Sequence, residues 1–257
     1  MNMITVFTCE NDFTAMLSCI YEAGKCKLGY DNFRLCTEPV EEYVFFENYI
    51  HVDADDRKAT EVERKVRSMI SPSFYNEVMY CAGAYEKDTL DILYRMIALG
   101  FKYGPKVLDM YQLNEVSRFL AISRRYGAEA HSFREFARFN RIGDAYVAHI
   151  EPKSYVLLPV AEYFADRMPS ENWMIVDDVH REAVIHPVNS EYYLKKLTGE
   201  EHSSLMATDK IEDDYSSLWK AYFDKIAIQA RTNYRCQLNH FPKWKRKHAT
   251  EFMPNSY

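Results

Sequence analysis

The chain reads as an α+β protein: a mainly antiparallel sheet built from hairpins, a central helical segment and a C-terminal amphipathic helix. Three observations predict this. Two alternating runs in "REFARFNRIGDAYVAHIEP" flank Gly143-Asp144, a hairpin signal. "NWMIVDD" and "EAVIHPV" read as a second strand pair. Between about residues 53 and 130, by contrast, the pattern is helical.

Taken in order, "MITVFTC" alternates and is β-branched, so it predicts a short strand. Asn11 or Asp12 then caps a helix to about Ala23, with Phe13, Met16, Leu17 and Ile20 on one face. "YVFFENYIHV" predicts another strand. "DADDRKATEVERKVRSMI" sets Ala59, Val62 and Val66 on one stripe, with carboxylates at the positive end of the helix dipole. Pro72 opens a second helix of this segment. "KDTLDILYRMIALGFKYG" is a third, stopped by Gly104-Pro105, and "LNEVSRFLAISRRYGAEAHSFREF" a fourth. "YVLLPVAEYFADRM" is again helical, with Leu157, Val160, Ala161 and Phe164 on one side and Pro169 at its end. Residues 198–214 are polar and acidic and read as an exposed connection. Beyond them, "YSSLWKAYFDKIAIQAR" repeats apolar residues at helical spacing, so Trp219 and Phe223 are expected to pin the last helix.

The whole reads as a single domain over residues 1–257. Its sub-regions are a β/α part (1–52), a helical segment (53–130), a ββαββ part (131–197) and the connection, helix and basic tail (198–257). With 47% hydrophobic and 27% charged residues, the chain has globular composition, which excludes general disorder. No apolar run reaches the roughly 20 residues of a membrane helix. "MNMITVFTCENDF" has no basic or long apolar leader region, so a cytoplasmic protein without a signal peptide or membrane contact is expected. The six cysteines form no CxxC or CxxxCxxC. Neither an iron–sulfur cluster nor a structural zinc is therefore expected, and no cofactor or metal is assigned. Nucleotide-loop, HExxH and GxSxG motifs are absent.

Charge is segregated. From Trp219 to Tyr257 eight Lys and Arg face two acids, a balance of +6 within a chain of net charge -6, so the remainder carries -12. Arg231, Arg235, Lys243, Lys245, Arg246 and Lys247 are interleaved with Trp244 and other rings. Phosphates meet cations and bases stack on rings in such a run, so these seven residues are the candidate nucleic-acid contacts. The competing reading is a solvated helix end in which Trp244 packs into the body.

Three polar clusters remain. "HVDADD" offers His51, Asp53 and Asp55 to a metal, but its place before a helix makes an N-cap the better reading. In "DDVH", Asp178 and His180 share a face if the strand continues, as acid and base or as two metal ligands; a turn explains the segment equally. "EAHSFREFARFNR" concentrates Glu129, His131, Arg134, Arg138 and Arg141; arginines on one sheet face suit phosphates or acids alike.

Four spaced segments carry a resemblance. They are "NDFTAMLSCIYEA", "EAHSFREFARF", "YVLLPVAEYFADRMPSENWMIVD" with Arg181 following, and "LWKAYFDKIAIQARTNYRCQLNHFP" closing on "ATEF". Together they resemble a bacterial family of DNA metabolism or DNA repair proteins that contain a domain of unknown function. Members are typically encoded beside a radical-SAM protein, and some are fused to a uracil-DNA-glycosylase-like domain. The resemblance marks Glu129, His131, Arg138, Asp166, Arg167, Asp177, Arg181, Arg231, Asn233, Gln237 and Glu251 as the family-like polar residues. The family's Lys-Arg-Tyr-Trp type of run after the proline is replaced here by Lys243, Trp244, Lys245 and Arg246.

The resemblance implies a DNA context and a radical-SAM partner, but no reaction. The first expectation is an accessory component that binds DNA, damaged or single-stranded, and works with that partner. The alternatives are a nucleic-acid-processing enzyme using Glu129, His131 and Asp177, or a protein-interaction scaffold without DNA contact.

Overall fold

The protein is described here by a computed structural model over residues 4–26, 32–40, 42–208 and 214–252. It divides into two compact units, residues 1–127 and 128–257.

The first unit begins with β1 (Ile4–Cys9), α1 (Phe13–Lys25), β2 (Phe33–Thr37) and β3 (Glu47–His51). The strands form a three-stranded sheet in the order β2-β1-β3, and both pairings are parallel. Asp12 caps α1 by accepting from the Thr14 amide, and Met16, Leu17 and Ile20 are buried as their spacing predicts. Helices α2 (Asp56–Met69), α3 (Pro72–Ala82), α4 (Thr89–Tyr103) and α5 (Asn114–Phe136) follow. Asp55 caps α2 through the Arg57 and Lys58 amides, which bears out the capping reading of the acidic cluster. Gly104 ends α4 at φ 67°, a conformation that glycine adopts without a Cβ penalty. Phe7, Leu35, Val66, Phe74, Leu93, Met96 and Phe119 belong to one buried cluster in this unit.

Helix α5 carries the chain into the second unit. There β4 (Phe139–Ile142) and β5 (Ala145–Ile150) form a hairpin about Gly143, which takes φ 61°. Next come α6 (Leu157–Arg167), β6 (Trp173–Asp177), β7 (Glu182–His186), β8 (Tyr193–Lys196) and α7 (Gly199–Met206). The five strands run in the order β4-β5-β6-β7-β8. The β5–β6 pair is parallel, the other three antiparallel. Helices α8 (Asp214–Ile226) and α9 (Tyr234–His240) and three short 3-10 turns at Gln229–Arg231, Lys243–Lys245 and Thr250–Phe252 complete the described chain.

The expectation of a mainly antiparallel sheet needs correction. One sheet is wholly parallel and the other is mixed. The cause is the same in both units: a helix separates two strands, α1 between β1 and β2 and α6 between β5 and β6. Such a crossover brings the second strand back parallel to the first. The connection expected over 198–214 holds a helix, α7, and its residues 209–213 lie outside the described chain.

Candidate functional site

The parallel pair β5–β6 sets up the site. Its register places His149 opposite Val176 and Ile150 opposite Asp177, and the Asp178 amide extends the ladder by donating to the Ile150 carbonyl. Glu151 and Asp178 therefore leave the carboxyl ends of neighbouring strands side by side. Open sheets bind ligands at such ends.

Asp178 is the centre of this cluster, with its carboxylate only 4% exposed. His149 Nδ1 lies 3.0 Å from Oδ2 and His202 Nε2 lies 2.9 Å from Oδ1. His248 Nε2 stands 3.7 Å from Oδ2 and 3.5 Å from Glu151 Oε1. Thr208 Oγ1 is 3.3 Å from the other nitrogen of His149, and the Lys247 ammonium pairs with Glu151. Burial works against the ionised Asp178, but the hydrogen bonds and charges of the three histidines prevail and hold its carboxyl below the usual range.

Local sequence explains each position. The alternation of β5 puts His149 and Glu151 on one side. Asp177 ends β6 and closes a turn by accepting from the Val179 and His180 amides, so Asp178 points elsewhere. Thr198 and Glu201 form a capping box that fixes the start of α7 and with it His202.

The expected site residues divide among separate roles. Glu129 anchors the loop after β5: Oε1 accepts from the Lys153 amide at 2.6 Å and Oε2 from the Ser154 hydroxyl at 2.7 Å. His131 is 69% exposed and pairs with Glu135 on α5. Asp177 is buried and bonds the His180 ring at 2.7 Å, with the Tyr155 ring tilted against it at 4.0 Å. Asp178 and His180 do not share a strand face, because residues 178–181 form a turn and Arg181 takes φ 56°. Arg134 does not share a strand face either, since it lies on α5 and donates to the Pro159 carbonyl.

In the tail, Lys245 and Arg246 are spent within the chain, whereas Lys247 pairs with Glu151 and keeps its side chain 58% exposed. Lys245 donates to the Ser132 hydroxyl at 2.7 Å, and burial pushes its pKa down. Arg246 donates to the Phe241 and Gln237 carbonyls and lies over the Phe252 ring. The continuous cationic surface expected through Lys247 is thus interrupted after Trp244. Arg231, Arg235 and Lys243 are exposed, with Tyr234 and His240 exposed among them. Trp244 is 37% exposed, meets Phe133 edge-on and carries Lys153 and Lys245 over its ring.

Trp219 and Phe223 do hold α8, through the Trp219 indole on Glu251 and the Phe223 ring on Phe252. Tyr215, Leu218, Tyr222 and Ile226 of the same helix remain exposed.

His149, Glu151, His202 and His248 were not among the residues singled out from sequence. Strand alternation joins His149 to Glu151, but no short-range pattern joins these two to His202 or His248. The one available signal was the Thr198/Glu201 capping box, which would have turned the presumed connection into a helix carrying His202.

No curated protein sequence matches this chain. A family model does: a domain of unknown function, DUF4130, matches residues 87–251, more than half of the chain, and includes every member of the Asp178 cluster. The chain belongs to the DUF4130 family.

Proposed function

We propose that this protein is an accessory DNA-binding component of DNA repair or DNA metabolism, acting beside a radical-SAM enzyme. The observation that carries the reading is the exposed run from Arg231 to Trp244, where Arg231, Arg235 and Lys243 stand among exposed Tyr234, His240 and Trp244. Cations that meet phosphates and rings that accept stacked bases suit single-stranded or distorted DNA. The sequence resemblance to DNA repair proteins encoded beside radical-SAM proteins supports both the DNA and the partner. The remaining acidic body disfavours wrapping of duplex and suits a local grip.

Anisotropy of labelled single-stranded, duplex and damaged oligonucleotides tests this directly. Trp244→Ala should weaken binding by about 1–3 kcal/mol, the range of a base stacked on an aromatic ring. Failure of the wild-type chain to bind any of the three oligonucleotides would sink the reading. Co-purification with a radical-SAM enzyme of the same organism tests the partner.

A second reading is a nucleic-acid-processing enzyme. It is favoured by the buried carboxylate and three imidazoles at Asp178, a different set from Glu129, His131 and Asp177. Turnover of an oligonucleotide that is lost in Glu151→Gln would select it over the accessory role.

A further inference from the structure

We propose that Glu151, Asp178 and His248 bind one first-row divalent metal ion, and that His149 and His202 orient the central carboxylate. The proposal stands independently of DNA binding. It departs from the expectation of no metal, which rested on cysteine spacing and on reading the acidic cluster before α2 as a cap.

Three features of the geometry carry it. The first is convergence: one ligand atom from each of the three residues lies within 4.8 Å of the other two. His248 Nε2 is 3.5 Å from Glu151 and 3.7 Å from Asp178. Donors that each stand about 2.0–2.2 Å from a common ion are roughly 3–3.6 Å apart, so His248 already stands at or near that separation from both carboxylates.

The second feature is burial of the donors. The side chains of Asp178, His248 and Glu151 are 4%, 9% and 23% exposed. Two carboxylates drawn together away from water repel each other, and a dication removes that repulsion. Lys247 on Glu151 and the histidine rings on Asp178 supply the positive side in this structure.

Support of the ligands is the third. His149 Nδ1 bridges the Asp178 carboxylate, 3.2 Å from Oδ1 and 3.0 Å from Oδ2, and His202 adds a second imidazole nitrogen on Oδ1. Oδ2, the oxygen nearer His248, carries one imidazole nitrogen and so has a second lone-pair direction for an ion. Metal-binding carboxylates are commonly held by such outer hydrogen bonds. One imidazole nitrogen and two carboxylate oxygens form a mixed donor set. It suits ions of the Mn2+ to Zn2+ series better than a thiolate-selective metal.

The test uses the full chain, stripped by chelator dialysis and verified as folded by circular dichroism. Co2+ is titrated while its d–d absorption is followed, and Zn2+ is then added as competitor. The expected result is one Co2+ per chain with a band distinct from the aqua ion, displaced by one equivalent of Zn2+. Glu151→Gln and His248→Ala should each remove the band. His202→Ala should keep the stoichiometry but weaken binding about 10–100-fold, as loss of an orienting partner does. His131→Ala should change nothing. Asp178→Asn strips two histidines of their buried partner and endangers the fold, so the test does not depend on it. Failure of folded wild-type protein to take up either ion would overturn the site, whatever the variants do. So would an unchanged band in folded Glu151→Gln and His248→Ala.

Discussion

Arg138 and Glu251, 113 residues apart in the chain, meet as a bidentate ion pair with Nη2 2.8 Å from Oε1 and Nε 3.2 Å from Oε2. The carboxylate is 4% exposed, and the Trp219 indole donates to Oε2 at 3.0 Å. One carboxylate thus ties the β4 end of the hairpin, α8 and the C-terminal turn together. It stands three residues from His248, so it also steadies the strand of chain that delivers a candidate ligand.

Glu251→Ala leaves Arg138 and the Trp219 N–H without their buried acceptor. Breaking such a pair costs about 3–5 kcal/mol, and the 21% exposure of Arg138 places this case near the lower end. Urea unfolding of the two proteins, followed by tryptophan fluorescence, measures the difference. A change under about 1 kcal/mol would show that the pair behaves as a surface salt bridge.

The same pair gives a pH dependence. Burial opposes ionisation of Glu251, but the Arg138 hydrogen bond and its neighbours outweigh it and depress the carboxyl pKa. A depressed acid contributes stability that is complete above its unfolded value, about 4.3, and is lost as pH falls through the folded one. The stability gap between wild type and Glu251→Gln should therefore be widest near neutrality and narrow below about pH 4. Thermal melts from pH 7 to 3 check this, and a gap independent of pH would contradict it.

Local signals carried most of the elements. The Asp12 and Asp55 caps, the Pro72 start and the Gly143 turn were legible because each rests on a few adjacent residues. Strand direction was not. Whether β6 pairs parallel or antiparallel with β5 depends on how α6 returns the chain, and nothing in the alternation of "NWMIVDD" records it. The Asp178 cluster was hidden for a related reason. Its side chains come from residues 149, 151, 178, 202 and 248, joined by the β5–β6 register, by α7 and by the folding back of the C-terminal segment. In the tail, composition revealed the charges but not that Glu151, Ser132 and two backbone carbonyls engage three of them.

Thr198→Ala removes the hydroxyl that accepts from the Glu201 amide and so opens the capping box of α7. Loss of such a cap costs about 1 kcal/mol. The effect should be local. Amide exchange across residues 199–206 should speed up several-fold while the first unit keeps its protection; unchanged exchange in α7 would refute the cap's role.

Gly100→Ala tests the packing of the first unit. An added Cβ would stand 2.5 Å from Ile70 Cδ1 and 3.2 Å from Phe74 Cζ. Alanine gains about 1 kcal/mol of helix propensity. Overpacking costs about 1–3 kcal/mol, and a fully buried Phe74 ring leaves little room to yield. The variant should melt lower than wild type, and a raised melting temperature would show that Ile70 moves aside freely.

The central claim is that exposed cations of residues 231–244 grip DNA phosphates, and the salt dependence of binding tests it most directly. Each phosphate contact contributes about -0.9 to the slope of log K against log salt on duplex and about -0.7 on single strands. Arg231, Arg235 and Lys243 replaced together by Ala should flatten the slope by about 2–3 units on duplex and about 2 on single strands. Trp244→Ala should leave the slope as it is. If the triple variant keeps the wild-type slope, the exposed cations do not touch phosphate and the proposed DNA-binding role fails.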